Sequence, residues 1–186
     1  MRAEELLNCL ECNPVVAAVQ QEGLQTALNA PVSIIFHLGI NLIDVENVVS
    51  QVHNAGKYIF VHLDLAEGIG KDRAGIRYLA QCGVDGIIST KSQMIRYAKE
   101  QNLITVQRFF ALDSKGIDSI GEMAKSTNPH LMEIMPGVIG KVISRFSTGN
   151  IPVIAGGLIQ TKCEVTDALR YGAVAVSTGN SDLWYL

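Results

Sequence analysis

The strongest constraint on the fold is a repeat of short, β-branched, mostly apolar runs, each followed by a polar break and a segment of helical periodicity. Runs that are apolar on both faces are typical of parallel strands covered by helices. Eight such units without a long linker predict an α/β fold, a closed (β/α)8 barrel, as one domain over residues 1–186. An open doubly wound sheet is the structural alternative. The predicted strands are 15–18, 32–38, 58–63, 86–89, 104–108, 131–135, 151–155 and 173–177.

The segments between the runs carry helix signals. Residues 44–55 place four valines on one face before Gly56, and Ser92 and Thr161 are candidate N-caps of helices over 92–100 and 161–171. A short helix is also expected after Asn180. Weaker patterns predict the remaining helices, over 23–28, 73–82, 117–125 and 140–147.

Composition narrows the setting of such a domain. Hydrophobic residues make up 48% of the chain, enough for a substantial core. No apolar run approaches the roughly 18 residues of a membrane span, and the first residues lack the features of a signal peptide. We therefore expect a cytoplasmic protein with no membrane partner.

The four cysteines do not form a metal-binding pattern. Cys9 and Cys12 have C-x-x-C spacing, but no second pair or nearby histidine completes a zinc set. We expect reduced thiols and no bound metal.

Polar residues recur where the predicted strands end, which is where ligands bind in this architecture. Alternation along the third strand predicts His62 and Asp64 on one side. Lys91, Arg108 and Glu133 follow or end the next strands. His53 and His130 are expected at the surface, on a helix and in a loop.

The last two strand ends predict a phosphate site. Gly156 and Gly157 follow the seventh strand, and Thr178 and Gly179 follow the eighth. Glycines let backbone amides approach an anion, and these two loops commonly hold phosphate in this barrel class. The alternative is two tight turns without a ligand.

Charged side chains would complete this site. Arg108 and Lys91 are the cations expected to meet a phosphate, unless they pair with Glu133 or Asp64. His62, Asp64 and Glu133 could accept hydrogen bonds from ligand hydroxyls. The same three residues are the alternative ligand set for a divalent ion, although no clustered acidic motif supports one.

In order, these strand-end segments resemble the glycerol-3-phosphate-responsive antiterminator family of bacterial glycerol operons, from about Pro14 to Trp184. The resemblance implies a regulator that senses glycerol 3-phosphate, needs no cofactor, and acts on leader mRNA so that transcription passes a terminator. On matching positions, the phosphate, charge and hydroxyl roles fall on the residues named above. The matching segments are 36–39, 61–65, 87–92, 107–114, 133–137, 155–159 and 173–178.

An RNA-binding surface is harder to predict, because the formal net charge is −3. Residues 57–108 nevertheless carry eight Lys and Arg against five Asp and Glu. Arg73 and Arg77 share one helix face, and Arg96 and Lys99 share the next, so that they could form one basic patch. The alternative is two ordinary solvated helix faces.

Two other functions stay open at this stage. An enzyme acting on a small phosphate ester, such as a phosphodiester or triose phosphate, fits the barrel, His62 and Asp64, but no catalytic signature supports it, and no residue is assigned a catalytic role. A ligand-gated partner of another protein is the third possibility. A homo-oligomer is possible in each case.

Overall fold

The computed structural model describes residues 3–186, and its centre is a closed barrel of eight parallel strands joined in sequence order. The first strand pairs with the last, Val15 opposite Val176, which confirms the predicted fold class. Met1 and Arg2, which the predicted domain includes, lie outside the described residues. The strands are β1 Val15–Val19, β2 Ile34–His37, β3 Tyr58–His62, β4 Gly86–Ser89, β5 Ile104–Phe110, β6 Leu131–Met135, β7 Val153–Gly156 and β8 Ala175–Thr178.

Helices follow the strands as the repeat predicts, with one addition at the start of the chain. The eighth strand is followed by a 3-10 helix, Ser181–Tyr185, and further 3-10 turns lie at Gln21–Gly23, Leu42–Asp44 and Leu63–Leu65. The α-helices are α1 Ala3–Cys12, α2 Leu24–Asn29, α3 Val45–Asn54, α4 Arg73–Gln81, α5 Ser92–Glu100, α6 Ser114–Thr127, α7 Gly140–Ser147 and α8 Lys162–Arg170.

Of the two predicted N-caps, one is confirmed and the other is wrong. Thr161 and Glu164 form a reciprocal capping box at the start of α8. At α5 the N-cap is Lys91, which makes no side-chain capping bond, and Ser92 is already the first helical residue. The reason is that Ser89 Oγ accepts the Lys91 amide, at 3.0 Å, so that the turn closes one residue earlier.

The core has two layers, one between the strands and their helices and one inside the barrel. Leu6 and Leu10 of α1 pack against the interior side chains, which makes α1 a cover over the barrel interior. The sequence analysis did not predict this helix. The strand residues of the interior cluster are Val16, Ile34, Phe36, Phe60, Ile88, Ile104, Val106, Leu131, Ile154 and Ala175.

The chain end is fixed to the last strand by buried Trp184, whose indole Nε1 donates to Thr178 O at 2.9 Å. None of the helices over residues 3–186 has the length and apolar content to cross a bilayer.

Candidate functional site

Three strands bring a hydrogen-bonded row of charged and polar side chains into the barrel near the C-terminal ends of the strands. Arg108 on β5 is in register with Glu133 on β6. Arg108 Nε donates to Glu133 Oε2 at 2.6 Å, and Ser177 Oγ of β8 donates to Glu133 Oε1 at 2.5 Å. Arg108 is 8% exposed and Glu133 is fully buried. The Arg108–Glu133 pairing, an alternative in the sequence analysis, is therefore present.

Arg108, Glu133 and Ser177 border a cavity of 160 Å³ at the C-terminal ends of the strands. Pockets for drug-sized ligands are larger, about 300–1,000 Å³, so this cavity suits a small molecule. Of the predicted phosphate residues, Gly157, Thr178, Gly179 and Arg108 line it. The other lining residues are Ala18, Leu38, Glu133, Met135, Leu158, Ile159 and Ser177.

The glycines after β7 allow the close packing of this site. A Cβ on Gly156 would lie 2.5 Å from Glu133 Oε1 and 2.7 Å from Ser177 Oγ, so that only glycine leaves this carboxylate in place. Gly157 has a φ of 74°, and the following Leu158 shares this left-handed conformation at 61°. Leu158 is 67% exposed. Unusual backbone conformations in non-glycine residues cluster at functional sites.

Thr178 is the predicted site residue on β8, and Gly179 directly follows the strand. Thr178 Oγ1 donates to Ile159 O at 2.8 Å and accepts the Asn180 amide at 3.1 Å, which joins the last two loops. Ser177 is the β8 side chain that reaches Glu133. Sequence reasoning missed Ser177, although the alternation that selected other inward residues could have found it.

His62 ends β3 inside the barrel, close enough to Arg108 and Glu133 for their charges to affect its ionisation. Burial and then the Arg108 charge lower the pKa of His62, outweighing the opposite effect of the carboxylates. The buried Nδ1 has no hydrogen-bond partner among the described residues. A neutral imidazole with a free nitrogen can bond to a ligand hydroxyl.

Asp64 is not on the strand with His62, contrary to the predicted alternation. It lies in the 3-10 turn Leu63–Leu65 and accepts hydrogen bonds from Ser89 Oγ, Thr90 N and Thr90 Oγ1 at 2.7–2.8 Å. Burial alone would raise the pKa of Asp64, but these bonds outweigh burial and lower it. Gly156, His62, Asp64 and the exposed Lys91 do not line the cavity. The ligand roles of all the predicted site residues remain predictions.

Over residues 3–186, no three His, Cys, Asp or Glu side chains lie close enough together to hold a metal ion. The alternative metal set of His62, Asp64 and Glu133 therefore lacks the geometry. All four cysteines are free, and burial raises the pKa of Cys9, which disfavours the thiolate that binds metals.

The four predicted RNA-binding residues divide into two groups. Arg73 is bonded to Glu100 at 3.0 and 3.1 Å and lies over the Tyr97 ring, while Arg77 is exposed. Arg96 and Lys99 instead reach the end of α6, where they bond to Ser126 and to the carbonyls of Thr127 and Asn128, respectively.

The two histidines expected at the surface differ in exposure. His53 lies on α3, is exposed, and contacts Asp85 at 3.0 Å. His130 lies in the loop before β6 but is half-buried, because its Nδ1 bonds to Thr105.

Comparison with known proteins adds relatives of similar length. Residues 15–184 match the family described as "Glycerol-3-phosphate responsive antiterminator". The uncharacterized protein YgcP of Escherichia coli K12 is 37% identical over 97% of this chain and 96% of its own. The glycerol uptake operon antiterminator regulatory protein of Listeria monocytogenes has 30% identity and a TM-score of 0.87, covering 92% of this chain and 95% of that one. A glycerol uptake operon antiterminator-related protein from Thermotoga maritima has 28% identity and a TM-score of 0.83, covering 91% of this chain and 96% of that one.

More distant barrels share only the fold. A putative deoxyribose-phosphate aldolase from Coccidioides immitis is 12% identical with a TM-score of 0.71, covering 96% of this chain and 94% of that one. Identity this low carries no information on activity.

Proposed function

The chain belongs to the glycerol-3-phosphate responsive antiterminator family, and from this premise we propose that it senses glycerol 3-phosphate. We propose further that the loaded protein acts on the leader mRNA of glycerol-utilisation operons, so that transcription continues past a terminator. Its effector and its mRNA target both imply action in the cytoplasm.

The observation that carries the proposal is the small cavity bordered by Arg108, Glu133 and Ser177. A phosphate ester of a polyol needs cations and amides at one end and hydrogen-bond acceptors at the other. Arg108 and the loops at Gly157 and Gly179 supply the first kind of group, and Glu133 supplies the second. His62 lies near Glu133 but does not line the cavity, and it could add a further acceptor. Lys91 could add charge from outside the cavity, and Asp64 a further acceptor.

Phosphate binding would change the pairing of Arg108. In the free protein its guanidinium is held by Glu133, while further N–H donors remain for an anion. A phosphate bound beside the cavity would share Arg108 with Glu133 and draw the loops after β7 and β8 together. Such a ligand favours the closed arrangement by the difference of its affinities for the two states.

Calorimetric titration with glycerol 3-phosphate, glycerol and inorganic phosphate tests the proposal. We expect binding of the ester and much weaker binding of the other two. Ser177→Ala should lower the affinity for glycerol 3-phosphate about 2- to 10-fold, because one hydrogen bond that orients Glu133 is lost. Ser119→Ala on α6 is the matched control, because the Ser119 hydroxyl donates to Gly116 O within the same helix, away from Glu133. Equal affinity for ester and free phosphate would contradict a site that contacts both ends.

The proposed role is regulatory and not catalytic. Schiff-base chemistry on a phosphate ester needs a lysine facing the ligand. The one buried lysine among residues 4–186 is Lys57, which precedes β3 at the opposite end and donates to the carbonyls of Ala30 and Val32. Turnover of a phosphate ester that disappears in His62→Ala would instead favour the enzyme.

We also propose a homo-oligomer through the face that surrounds the cavity. A two-fold axis in this face would bring the same surface of two copies together. Such contact would cover large exposed apolar side chains at the end of β5 and in the loops that follow the strands, namely Leu42, Ile43, Leu65, Phe110, Leu112, Val138 and Leu158.

A further inference from the structure

A groove of 440 Å³ opens between α6 and α7, away from the ligand cavity. Its apolar floor includes Met132, Phe146 and Ile151. The groove lies toward the N-terminal ends of β6 and β7, because Met132 is the second residue of β6 and Ile151 precedes β7. The other lining residues are Gly121, Ala124, Lys125, Asn128, Arg145, Thr148, Gly149 and Asn150.

Cations surround this groove on both sides. Lys125 and Arg145 line it and are exposed. Arg96 and Lys99 extend from α5 to its edge, where Arg96 bonds to Ser126 Oγ at 3.0 Å and Lys99 Nζ to Asn128 O at 2.7 Å. The basic residues at the edge therefore come from three consecutive helices.

One acidic contact reduces this charge without removing it. Arg145 pairs with Asp118 at 2.7 Å, and both side chains are more than half exposed. Exposed pairs of this kind are weak, and a phosphate can compete for the guanidinium.

The polar lining suits a nucleotide base above such a floor. Asn128 and Asn150 are exposed and carry side-chain amides with both donors and acceptors, which match base edges. The apolar floor suits a flat base, and the cations suit the flanking phosphates.

We propose that the groove between α6 and α7 binds single-stranded RNA, with one base on the apolar floor and the backbone along the cations. The proposal rests on the RNA-directed function above and names the surface for it. It keeps Arg96 and Lys99 of the predicted patch at the edge of the interface, and it leaves Arg73 and Arg77 outside, because no residue of α4 lines the groove.

The groove is connected to the ligand cavity through two strands. Glu133 of the cavity follows Met132 of the groove on β6. On β5, Gln107 precedes Arg108 and accepts a hydrogen bond from Thr127 Oγ1 at 2.5 Å, at the end of α6. A shift of Arg108 or Glu133 on ligand binding therefore has a short, packed connection to the groove walls.

Fluorescence anisotropy with a labelled pool of random-sequence single-stranded RNA tests the groove, with saturating glycerol 3-phosphate. Lys125→Ala with Arg145→Ala should weaken binding and lower the slope of log affinity against log salt by about 1.4, because each substitution removes one cation and a single strand contributes about 0.7 per neutralised phosphate. Lys162→Ala with Arg170→Ala on α8 removes the same charge, including an arginine paired with an aspartate, and should leave the slope unchanged.

Filling the groove separates the effect of the base from that of charge. Gly121→Leu keeps every charge and favours the helix, so α6 should still fold. It should weaken RNA binding about 5- to 150-fold with the salt slope unchanged, because the base loses its stacking position. Gly121→Ala is the size control, since its Cβ would lie 3.9 Å from Phe146.

The outcomes separate this inference from the proposed function. If RNA binds and responds to glycerol 3-phosphate but the groove variants match the wild type, the groove is the wrong surface and the function stands. If RNA binding is lost only in the double variant Arg73→Ala with Arg77→Ala, the RNA-binding surface lies on α4 instead. If the wild type binds no RNA from the pool with ligand present, both proposals are wrong.

Discussion

Glu133→Gln should lower the free energy of unfolding by about 3–5 kcal/mol, because it leaves Arg108 buried without a counter-charge. The two side chains are 2.6 Å apart and only 8% and 0% exposed, so water can compensate little of the loss. For a chain of this length each kcal/mol corresponds to about 2–4 °C in Tm, which gives a decrease of about 6–20 °C. Thermal and urea unfolding followed by circular dichroism measure both quantities.

Two further variants control for this result. Asp167→Asn removes the partner of Arg170 in a largely exposed pair and should cost about 0–1 kcal/mol. Arg108→Met with Glu133→Leu leaves no buried charge and should be much less destabilising than Glu133→Gln alone. If Glu133→Gln costs no more than Asp167→Asn, Arg108 is hydrated at the cavity mouth and the reasoning from burial is wrong.

His37 predicts a loss of stability in acid, since burial lowers its pKa and neither ring nitrogen has a hydrogen-bond partner among the described residues. In the unfolded chain this histidine titrates at about pH 6.5, so that at lower pH the unfolded state binds a proton that the folded state does not. Urea unfolding should therefore show a lower free energy of unfolding at about pH 5.5 than at about pH 7.5, and His37→Leu should reduce that difference. If His37→Leu shows the same difference in stability between the two pH values as the wild type, other histidines cause the loss of stability in acid. Gly156→Ala should abolish calorimetric binding of glycerol 3-phosphate, because its Cβ would displace the carboxylate of Glu133, while Gly121→Ala leaves binding intact.

The barrel could be predicted because its signal repeats along the chain. Each strand run is short and ambiguous alone, but eight in regular alternation with helices favour closure. Helix α1 lies outside the repeat and was missed. Its signal was present, since Leu6 and Leu10 are four residues apart and face one side of a helix.

The site could be predicted by its strand ends but not by the direction of each side chain. On β8, Ala175 faces the interior, so Ser177 also faces inward and Thr178 outward. The predicted strand began two residues earlier and did not settle which of the pair meets the ligand. The 3-10 turn after β3 likewise ended the alternation before Asp64. Such turns depend on loop contacts distant in sequence, here Ser89 and Thr90.

The arrangement of polar groups would connect the two proposed sites, the ligand cavity at one end of the barrel and the RNA groove at the other. In a strand, neighbouring side chains point to opposite faces, so Arg108 and Glu133 face the cavity while Gln107 and Met132 face the helices. A ligand that moves the inner residues by a fraction of an ångström also moves the outer ones, because the same backbone carries both. Linkage requires any such coupling to be reciprocal, so RNA bound in the proposed groove would raise the affinity for the ligand by the same factor with which the ligand raises the affinity for RNA. A sensor of this kind needs no hinge between domains, only two strands whose faces belong to different sites.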